Sequence, residues 1–263
     1  GVTGPPPVRG ARAGGRPAAL LVLSDVTRLR RLETLRRDFA ANVSHEIRTP
    51  LSSIRAASET LLSGAMQNPE EAERFASMIG RNAERLEAIV DDLLKLSRLE
   101  RDDGARARDF EPARVLSVLR AAAAVKEEDA RKKEIEVTIA CPEGLFAPMN
   151  RNLMEQALVN LLDNALQYSP AKGKVRISAE PAEGQITFCV EDQGPGIEAR
   201  HQERLFERFY RVDPARSRKM GGTGLGLAIV KHIAQAHNGA VWVKSAPGKG
   251  ASFFLRIPQA PQE

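Results

Sequence analysis

Aromatic residues are scarce in this 263-residue chain, with nine Phe, two Tyr and one Trp, or 5% of the total. A core must therefore come mainly from aliphatic side chains. No basic stretch is interleaved with aromatics, as a surface that stacks single-stranded nucleic acid requires. The net charge of +5 comes from arginines scattered among acids, so we expect no nucleic-acid partner. Only two cysteines are present, Cys141 and Cys189. They lie far apart and form no CxxC pair, which excludes the common zinc and dithiol motifs. Cys189 falls in an apolar strand and reads as a small core residue, and the sparse cysteine use suits a reducing cytoplasm. No apolar run approaches a membrane-spanning length; the longest, Ala18 to Leu23, is strand-sized. The chain opens on Gly1. We expect it to be the cytoplasmic portion of a longer protein, with membrane association only through segments upstream. No internal repeat, Walker sequence or dinucleotide-type glycine pattern is found.

What is present begins with a change of period. Residues 1–17 are rich in Gly, Pro and Arg and carry no pattern. Ala19 to Thr27 reads as a buried strand and a turn. From Thr27, Leu29, Leu32, Leu35, Phe39, Val43, Ile47, Leu51, Ile54 and Leu61 recur at three- and four-residue steps, which predicts one long helix with an apolar stripe. Pro50 has no amide hydrogen and should kink or loosen that helix. Residues 64–68 read as a turn, with Pro69 suited to a first helical position. A second stripe runs through Phe75, Met78, Ile79, Leu86, Ile89, Leu93, Leu96 and Leu99. Two such helices make an antiparallel hairpin whose stripes stay wet unless two copies pair into a four-helix bundle, so a homodimer is expected.

After a charged segment at 101–111, strands and helices alternate. Helices are predicted over 114–131, 153–167 (with Asn152 and Glu155 as a capping box) and 225–236. Strands are predicted over 135–139, 174–177, 185–190, 240–244 and 251–257. The expected architecture is multidomain, α followed by α/β. The helical hairpin occupies 27–103, and 104–263 form an α/β sandwich with helices on one face of a mixed sheet.

The hairpin carries His45 in the run Ser44-His45-Glu46-Ile47-Arg48-Thr49-Pro50-Leu51. A neutral imidazole is a competent nucleophile near pH 7, and Glu46 is placed to hold or take the proton of its other ring nitrogen. Thr49, one turn along, shares the face of His45. A zinc-protease reading needs histidine at 49 and fails on Thr49. His201, His232 and His237 have no metal-ligand spacing and read as structural or solvent-exposed. Downstream, Asn160 and Asn164 share one face of a helix and offer neutral oxygens suited to magnesium. Asp192 precedes Gly194-Pro195-Gly196 at a strand end. Gly222-Thr223-Gly224-Leu225-Gly226-Leu227 opens a helix whose first amides can receive phosphate.

These four motifs, in this order and spacing over residues 27–258, resemble the sensor histidine kinases of two-component signalling, whose ATP-binding domain belongs to the gyrase, chaperone and kinase superfamily. The resemblance makes Ala19 to Thr27 the end of a PAS-like sensor domain, preceded within residues 1–26 by a disordered lead, with the rest of such a domain expected to be missing here. It implies that His45 takes the γ-phosphate of ATP and passes it to an aspartate of a response regulator, with Glu46 and Thr49 as its catalytic neighbours and Thr49 supporting a phosphatase reaction. ATP and Mg2+ are the implied cofactors, with Asn160 and Asn164 as metal ligands. Asp192 is implied to read the adenine amino group, with Tyr168 beside the ring and Ile197 following the glycines. Leu205 to Arg211 resembles the family's phenylalanine-containing box, which supplies Arg208, Phe209 and Tyr210, and 212–220 a lid carrying Arg216. Gly222, Thr223, Gly224, Leu225, Gly226 and Leu227 form the phosphate loop. Asparagine at 160, where related ATPases hold a water-activating glutamate, implies transfer with little hydrolysis.

The sequence departs from the family at Gln167, where many members place a cation; Lys172 or a nearby arginine is the expected substitute. Two rivals stand beside the kinase reading. An ATP-driven clamp would want glutamate at 160 and has no use for the run around His45. A degenerate kinase acting as a phosphatase or dimeric scaffold is left open by Gln167.

Overall fold

The computed structural model describes residues 27–101, 110–213 and 222–259. The PAS-like strand, the linker at 104, most of the expected lid and Arg216 lie outside the described residues.

Helix α1 (Thr27–Leu62) runs unbroken through Pro50. The sequence predicted a kink or loosening there, but α1 remains one helix, and the hydroxyls of Thr49 and Ser53 each bond a carbonyl one turn back, at 3.1 and 3.2 Å. A 3₁₀ turn (Ala65–Gln67) leads to α2 (Pro69–Arg101), and the Asn68 side chain accepts from the Glu70 amide at 3.0 Å. The portion of α1 before Ala41 clusters by itself, and residues 41–263 form a second compact unit. Within that unit, Ile89, Leu96 and Leu99 of the second stripe are buried, as is Ala57 of α1, whereas Leu51 of the first stripe is exposed, along with Leu62, Met66, Val90 and Leu94. Among the described residues no helix is long and apolar enough to cross a membrane.

The remainder is a two-layer α/β unit. In chain order it comprises β1 (Glu111–Arg114), α3 (Val115–Val125), α4 (Glu127–Lys132), β2 (Glu136–Ala140), β3 (Phe146–Met149), α5 (Arg151–Tyr168), β4 (Lys174–Ala182), β5 (Gln185–Asp192), α6 (Ala199–Gln202), α7 (Gly226–Ala236), β6 (Ala240–Ser245) and β7 (Ala251–Pro258). The main sheet has the order β2-β4-β5-β7-β6. It is mixed, with β2 parallel to β4 and every other pair antiparallel. Period-two alternation sends Val175, Ile177 and Ala179 of β4, Ile186, Phe188 and Val190 of β5, and Phe253, Leu255 and Ile257 of β7 to the buried face. They meet Val118 and Leu119 of α3, Leu158, Leu161, Leu162 and Ala165 of α5, and Ile229 and Ile233 of α7, all fully buried. Burial of each large aliphatic chain contributes about 1.5–3 kcal/mol, which holds the helices on one face. Cys189 points to the opposite face in register with Phe254. It is still buried, and burial pushes its thiol up to about 12.

Three local readings change. The helix predicted over 114–131 breaks at Lys126 into α3 and α4. Its first residue instead ends β1, which pairs with β3 in a separate two-stranded sheet. Helix α5 starts at Arg151, and its cap is Asn150 rather than Asn152: the Asn150 Oδ1 accepts from the Leu153 amide at 3.1 Å. The Asn150 amide donates to His237 Nε2 at 3.1 Å, a tertiary bond that fixes where the helix begins.

Candidate functional site: a histidine on the hairpin and a nucleotide-sized cavity

His45 lies mid-helix on α1 with 65% of its side chain exposed. Its Nδ1 faces Glu46 Oε1 at 3.9 Å, close but beyond hydrogen-bond range. The other oxygen, Glu46 Oε2, accepts from Arg85 of α2 at 2.9 Å and from Arg211 at 3.0 Å. All three side chains are largely buried, at 15, 10 and 6% exposure for Glu46, Arg85 and Arg211. Sequence reasoning named Glu46 as the partner of His45 and missed both arginines, which approach it from 39 and 165 residues away. The Thr49 hydroxyl donates to the His45 carbonyl at 3.1 Å, so its proton serves the helix and its oxygen keeps its capacity to accept.

A cavity of about 430 Å³ lies in the α/β unit, within the size range of small-molecule sites. Helix α5 supplies one wall through Asn160, Asp163, Asn164, Gln167 and Tyr168, the i, i+3, i+4, i+7, i+8 stripe opposite its buried leucines. The Asn160 Nδ2 donates to the Gly226 carbonyl at 3.2 Å. That bond ties α5 to the start of α7 and leaves the amide oxygen as the acceptor for a ligand or hard cation.

At the far end, Asp192 closes β5. Its Oδ1 accepts from the Gly194 amide at 2.7 Å and the Ala251 amide at 3.2 Å. Burial raises its pKa, opposed by those two bonds. With Oδ1 committed, Oδ2 is the oxygen available to an amino group in the cavity. The adjoining turn is clamped. The Ile197 amide donates to Ser245 Oγ at 2.9 Å, Gln202 Nε2 donates to the Ile197 and Ser245 carbonyls at 3.0 and 2.9 Å, and the Gly248 amide donates to the Pro195 carbonyl at 2.7 Å. Gly196 sits at φ +72°, where a Cβ would fall 1.9 Å from the Ala246 carbonyl oxygen.

The glycine loop makes the third wall. Gly222, Thr223, Gly224, Gly226 and Leu227 line the cavity, while Leu225 is buried beneath it. The Phe209 amide donates to the Gly224 carbonyl at 2.8 Å, so Phe209 holds the loop from behind. Tyr210 lines the cavity, its hydroxyl 2.6 Å from His201 Nδ1. His201 therefore sets the position of a cavity residue.

Two expected cations lie elsewhere. Lys172, the candidate substitute for the charge missing at Gln167, is not on the wall. Its amide is tied to the Lys133 carbonyl at 3.0 Å, and its ammonium lies 3.8 Å from Glu134. Arg208 meets His232 of α7 at 3.4 Å and is not on the wall either. Among the described residues, the cations lining the cavity are Lys126 and Arg211. Lys126 bonds Asp163 at 2.5 Å and Asp129 at 3.1 Å. Burial opposes its charge, but the two aspartates outweigh burial and its pKa is raised. Neither cation was named for this role from the sequence. Helix α2 also contributes Ala88 and Asp92 to the wall, and Asp92 Oδ2 accepts from the Thr223 hydroxyl at 2.7 Å.

Comparison with known proteins agrees with this geometry. Residues 35–102 match the His Kinase A (phospho-acceptor) domain, and residues 149–261 match the histidine kinase-, DNA gyrase B-, and HSP90-like ATPase family. The chain is 41% identical over 246 residues to the sensor-like histidine kinase SenX3 of Mycolicibacterium smegmatis, covering 94% of this chain and 63% of that protein. Full-length ShkA, solved in complex with AMPPNP, superposes with a TM-score of 0.60 at 28% identity, over 88% of this chain and 46% of that one. Histidine kinase ThkA, solved in complex with the response regulator protein TrrA, shares the fold at a TM-score of 0.71 and 24% identity, over 90% of this chain and 66% of that one. The chain spans less than two thirds of the length of the curated relatives it matches, and its phospho-acceptor hairpin and ATPase domain form the catalytic core of a sensor histidine kinase.

Proposed function

We propose that this chain is an ATP-dependent protein histidine kinase that phosphorylates its own His45 and then passes the phosphoryl group to an aspartate of a response regulator. The observation that carries the reading is Arg211, which lines the cavity and also bonds the carboxylate next to His45. One guanidinium thus links the nucleotide wall to the phospho-acceptor helix.

The residues divide the work as follows. Asp192 accepts from the adenine amino group through Oδ2, with Tyr168 and Ile197 beside the ring. Thr223, the glycine loop and the first amides of α7 receive the phosphates. The oxygens of Asn160 and Asn164 suit Mg2+, which, when bound, neutralises charge on the phosphates. Neither asparagine can act as a base toward water, which favours transfer over hydrolysis. His45 Nε2, the ring nitrogen turned away from Glu46, attacks the γ-phosphorus. The bond from that phosphorus to the bridging oxygen breaks, and ADP departs with the electron pair. Glu46 Oε1 takes a hydrogen bond from Nδ1–H as the ring gains positive character, which requires closing the present 3.9 Å gap. Positioning and charge neutralisation supply most of the rate. Since the reactants sit on different modules, movement of the ATP-binding module against the hairpin gates the step.

The exposed Leu51, Val90 and Leu94 on the hairpin support pairing of two copies into a four-helix bundle. The Thr49 hydroxyl, which donates to the His45 carbonyl and whose oxygen can still accept, supports a second reaction, in which it places water for hydrolysis of the phosphorylated regulator. Incubation with γ-labelled ATP tests the main reading. Wild type should gain acid-labile, alkali-stable label that His45→Ala abolishes. ATP hydrolysis that persists in His45→Ala without labelling would instead indicate a clamp, and neither reaction a scaffold.

A further inference from the structure

Resting on the nucleotide reading of the cavity, we propose that the hairpin carboxylate Asp92 is a built-in competitor of the terminal phosphate. It accepts from the Thr223 hydroxyl of the glycine loop and must release it when a nucleoside di- or triphosphate enters.

Helix α2 packs on α7 and on the 3₁₀ turn, and Asp92, only 16% exposed, forms part of the cavity wall together with Ala88 of the same helix. The Asp92 Oδ2 accepts a hydrogen bond from the Thr223 hydroxyl at 2.7 Å. The Thr223 Oγ1 in turn accepts from the Leu225 amide at 3.2 Å, which orients the hydroxyl toward Asp92. A phosphate on the glycine loop needs that same hydroxyl. A second carboxylate of the hairpin acts likewise, for Glu46 holds Arg211 at 3.0 Å, and Arg211 also donates to the Gly222 carbonyl at 2.8 Å. Two anions of the hairpin therefore sit on two groups of the loop end that suit an incoming anion.

The surrounding charge sharpens the competition. Asp163 and Asp213 line the same cavity. The cations nearby are Lys126, bonded to Asp163 and Asp129, Arg211, bonded to Glu46, and Lys95, 3.8 Å from Asp92 Oδ1. A phosphate arriving beside an unmoved Asp92 meets like charge in a half-buried site, where water screens poorly. Terminal-phosphate binding and the Asp92–Thr223 contact thus exclude each other, and each weakens the other by the same factor. A nucleotide that reaches only the adenine end, as AMP does, is indifferent to Asp92.

The test is calorimetric titration of the full chain with AMP, ADP and a non-hydrolysable ATP analogue, each with Mg2+, for wild type, Asp92→Asn and Asp92→Ala. Asparagine removes the charge and keeps the shape, and both variants are checked for unchanged cooperative melting. The analogue should tighten by about three- to tenfold in both variants, as the loss of one partly screened charge a few ångströms away predicts. AMP should change by less than about twofold, as expected if Asp92 acts only at the phosphate end. Hydrogen exchange in residues 222–227 should rise in unliganded Asp92→Ala. Unchanged or weaker analogue binding overturns the proposal, as does equal tightening of AMP. A wild type that binds none of the three nucleotides overturns the nucleotide reading itself; a wild type that binds them with no difference on substitution overturns only the role of Asp92.

Discussion

Glu46→Gln separates the two roles of this side chain. In the wild type, Glu46 Oε2 accepts from two guanidiniums at 2.9 and 3.0 Å, with all three side chains at most 15% exposed. Glutamine keeps the acceptor oxygen but strips two largely buried guanidiniums of their counter-charge; breaking a buried ion pair costs about 3–5 kcal/mol, and the hydrogen bonds that remain, about 0.5–1.5 kcal/mol each, offset part of that. Neutralising the acceptor of two such bonds therefore costs roughly 2–3 kcal/mol. For a unit the size of residues 41–263, that lowers the melting temperature by roughly 4–12 °C, at about 2–4 °C per kcal/mol. The chemical effect is separate. Glutamine still offers an oxygen to Nδ1–H but cannot stabilise the imidazolium by charge. The loss should therefore fall at the lower end of acid–base contributions, about 100-fold in kcat. The KM for ATP should not rise, because Glu46 touches no nucleotide group and its neutralisation frees Arg211. Calorimetric melting and single-turnover labelling at saturating ATP read the two effects independently. A variant that labels within threefold of the wild-type rate would refute the assignment of Glu46 as partner of the reacting ring. An unchanged melting temperature would refute the buried charge cluster.

Other expectations follow from particular contacts. Asp192→Asn should weaken ATP by about 10- to 100-fold and narrow its preference over GTP, since an amide nitrogen replaces the oxygen we propose to accept from adenine; competition titrations read both. Gly196→Ala should abolish nucleotide binding and cost several kcal/mol, because the added carbon falls 1.9 Å from the Ala246 carbonyl oxygen at a φ of +72°; melting and titration check it. His237 is buried and stacked on Phe110, with Nδ1 on the Ile233 carbonyl at 2.7 Å and Nε2 accepting from Asn150. Burial lowers its pKa from 6.5, opposed by the Ile233 bond. The unfolded chain then binds the proton more readily, so the stability that His237 contributes is fully present above pH 6.5 and is lost as pH falls below that value. The slope is at most about 1.4 kcal/mol per pH unit. His237→Phe keeps the stack and should remove this slope, while lowering stability at pH 8 by about 1–3 kcal/mol through the unpaired Asn150 amide. Denaturant titration across pH measures it.

How legible these features were depended on the range of the interactions that fix them. The stripes of α1 and α2, the alternation in β4, β5 and β7, and the Asn160/Asn164 pair are set within one or two turns of chain, and sequence periodicity suffices. The start of α5 was misplaced by two residues because Asn150 and Asn152 are equivalent local caps, and the choice falls to His237, 87 positions away. Strands β1 and β3 are four residues each, too short to show a period. The departures at the candidate site have the same origin. Lys172 was chosen for its nearness in sequence to Gln167, but its backbone is bound into the turn after α4. Arg211, Lys126 and Asp92 reach the cavity from three other elements. A charged residue on a helix gives no local sign that it faces a loop 131 positions later, as Asp92 does with Thr223.

The most direct measurement is a single-turnover reaction of the full chain with Mg2+ and ATP, in which released ADP and the phosphoryl group at His45, located by mass spectrometry under alkaline conditions, are quantified together. The account predicts one ADP for each phosphoryl group gained at His45, and neither product from His45→Gln. ADP released without phosphorylation of His45, or phosphorylation located on another residue, would contradict it.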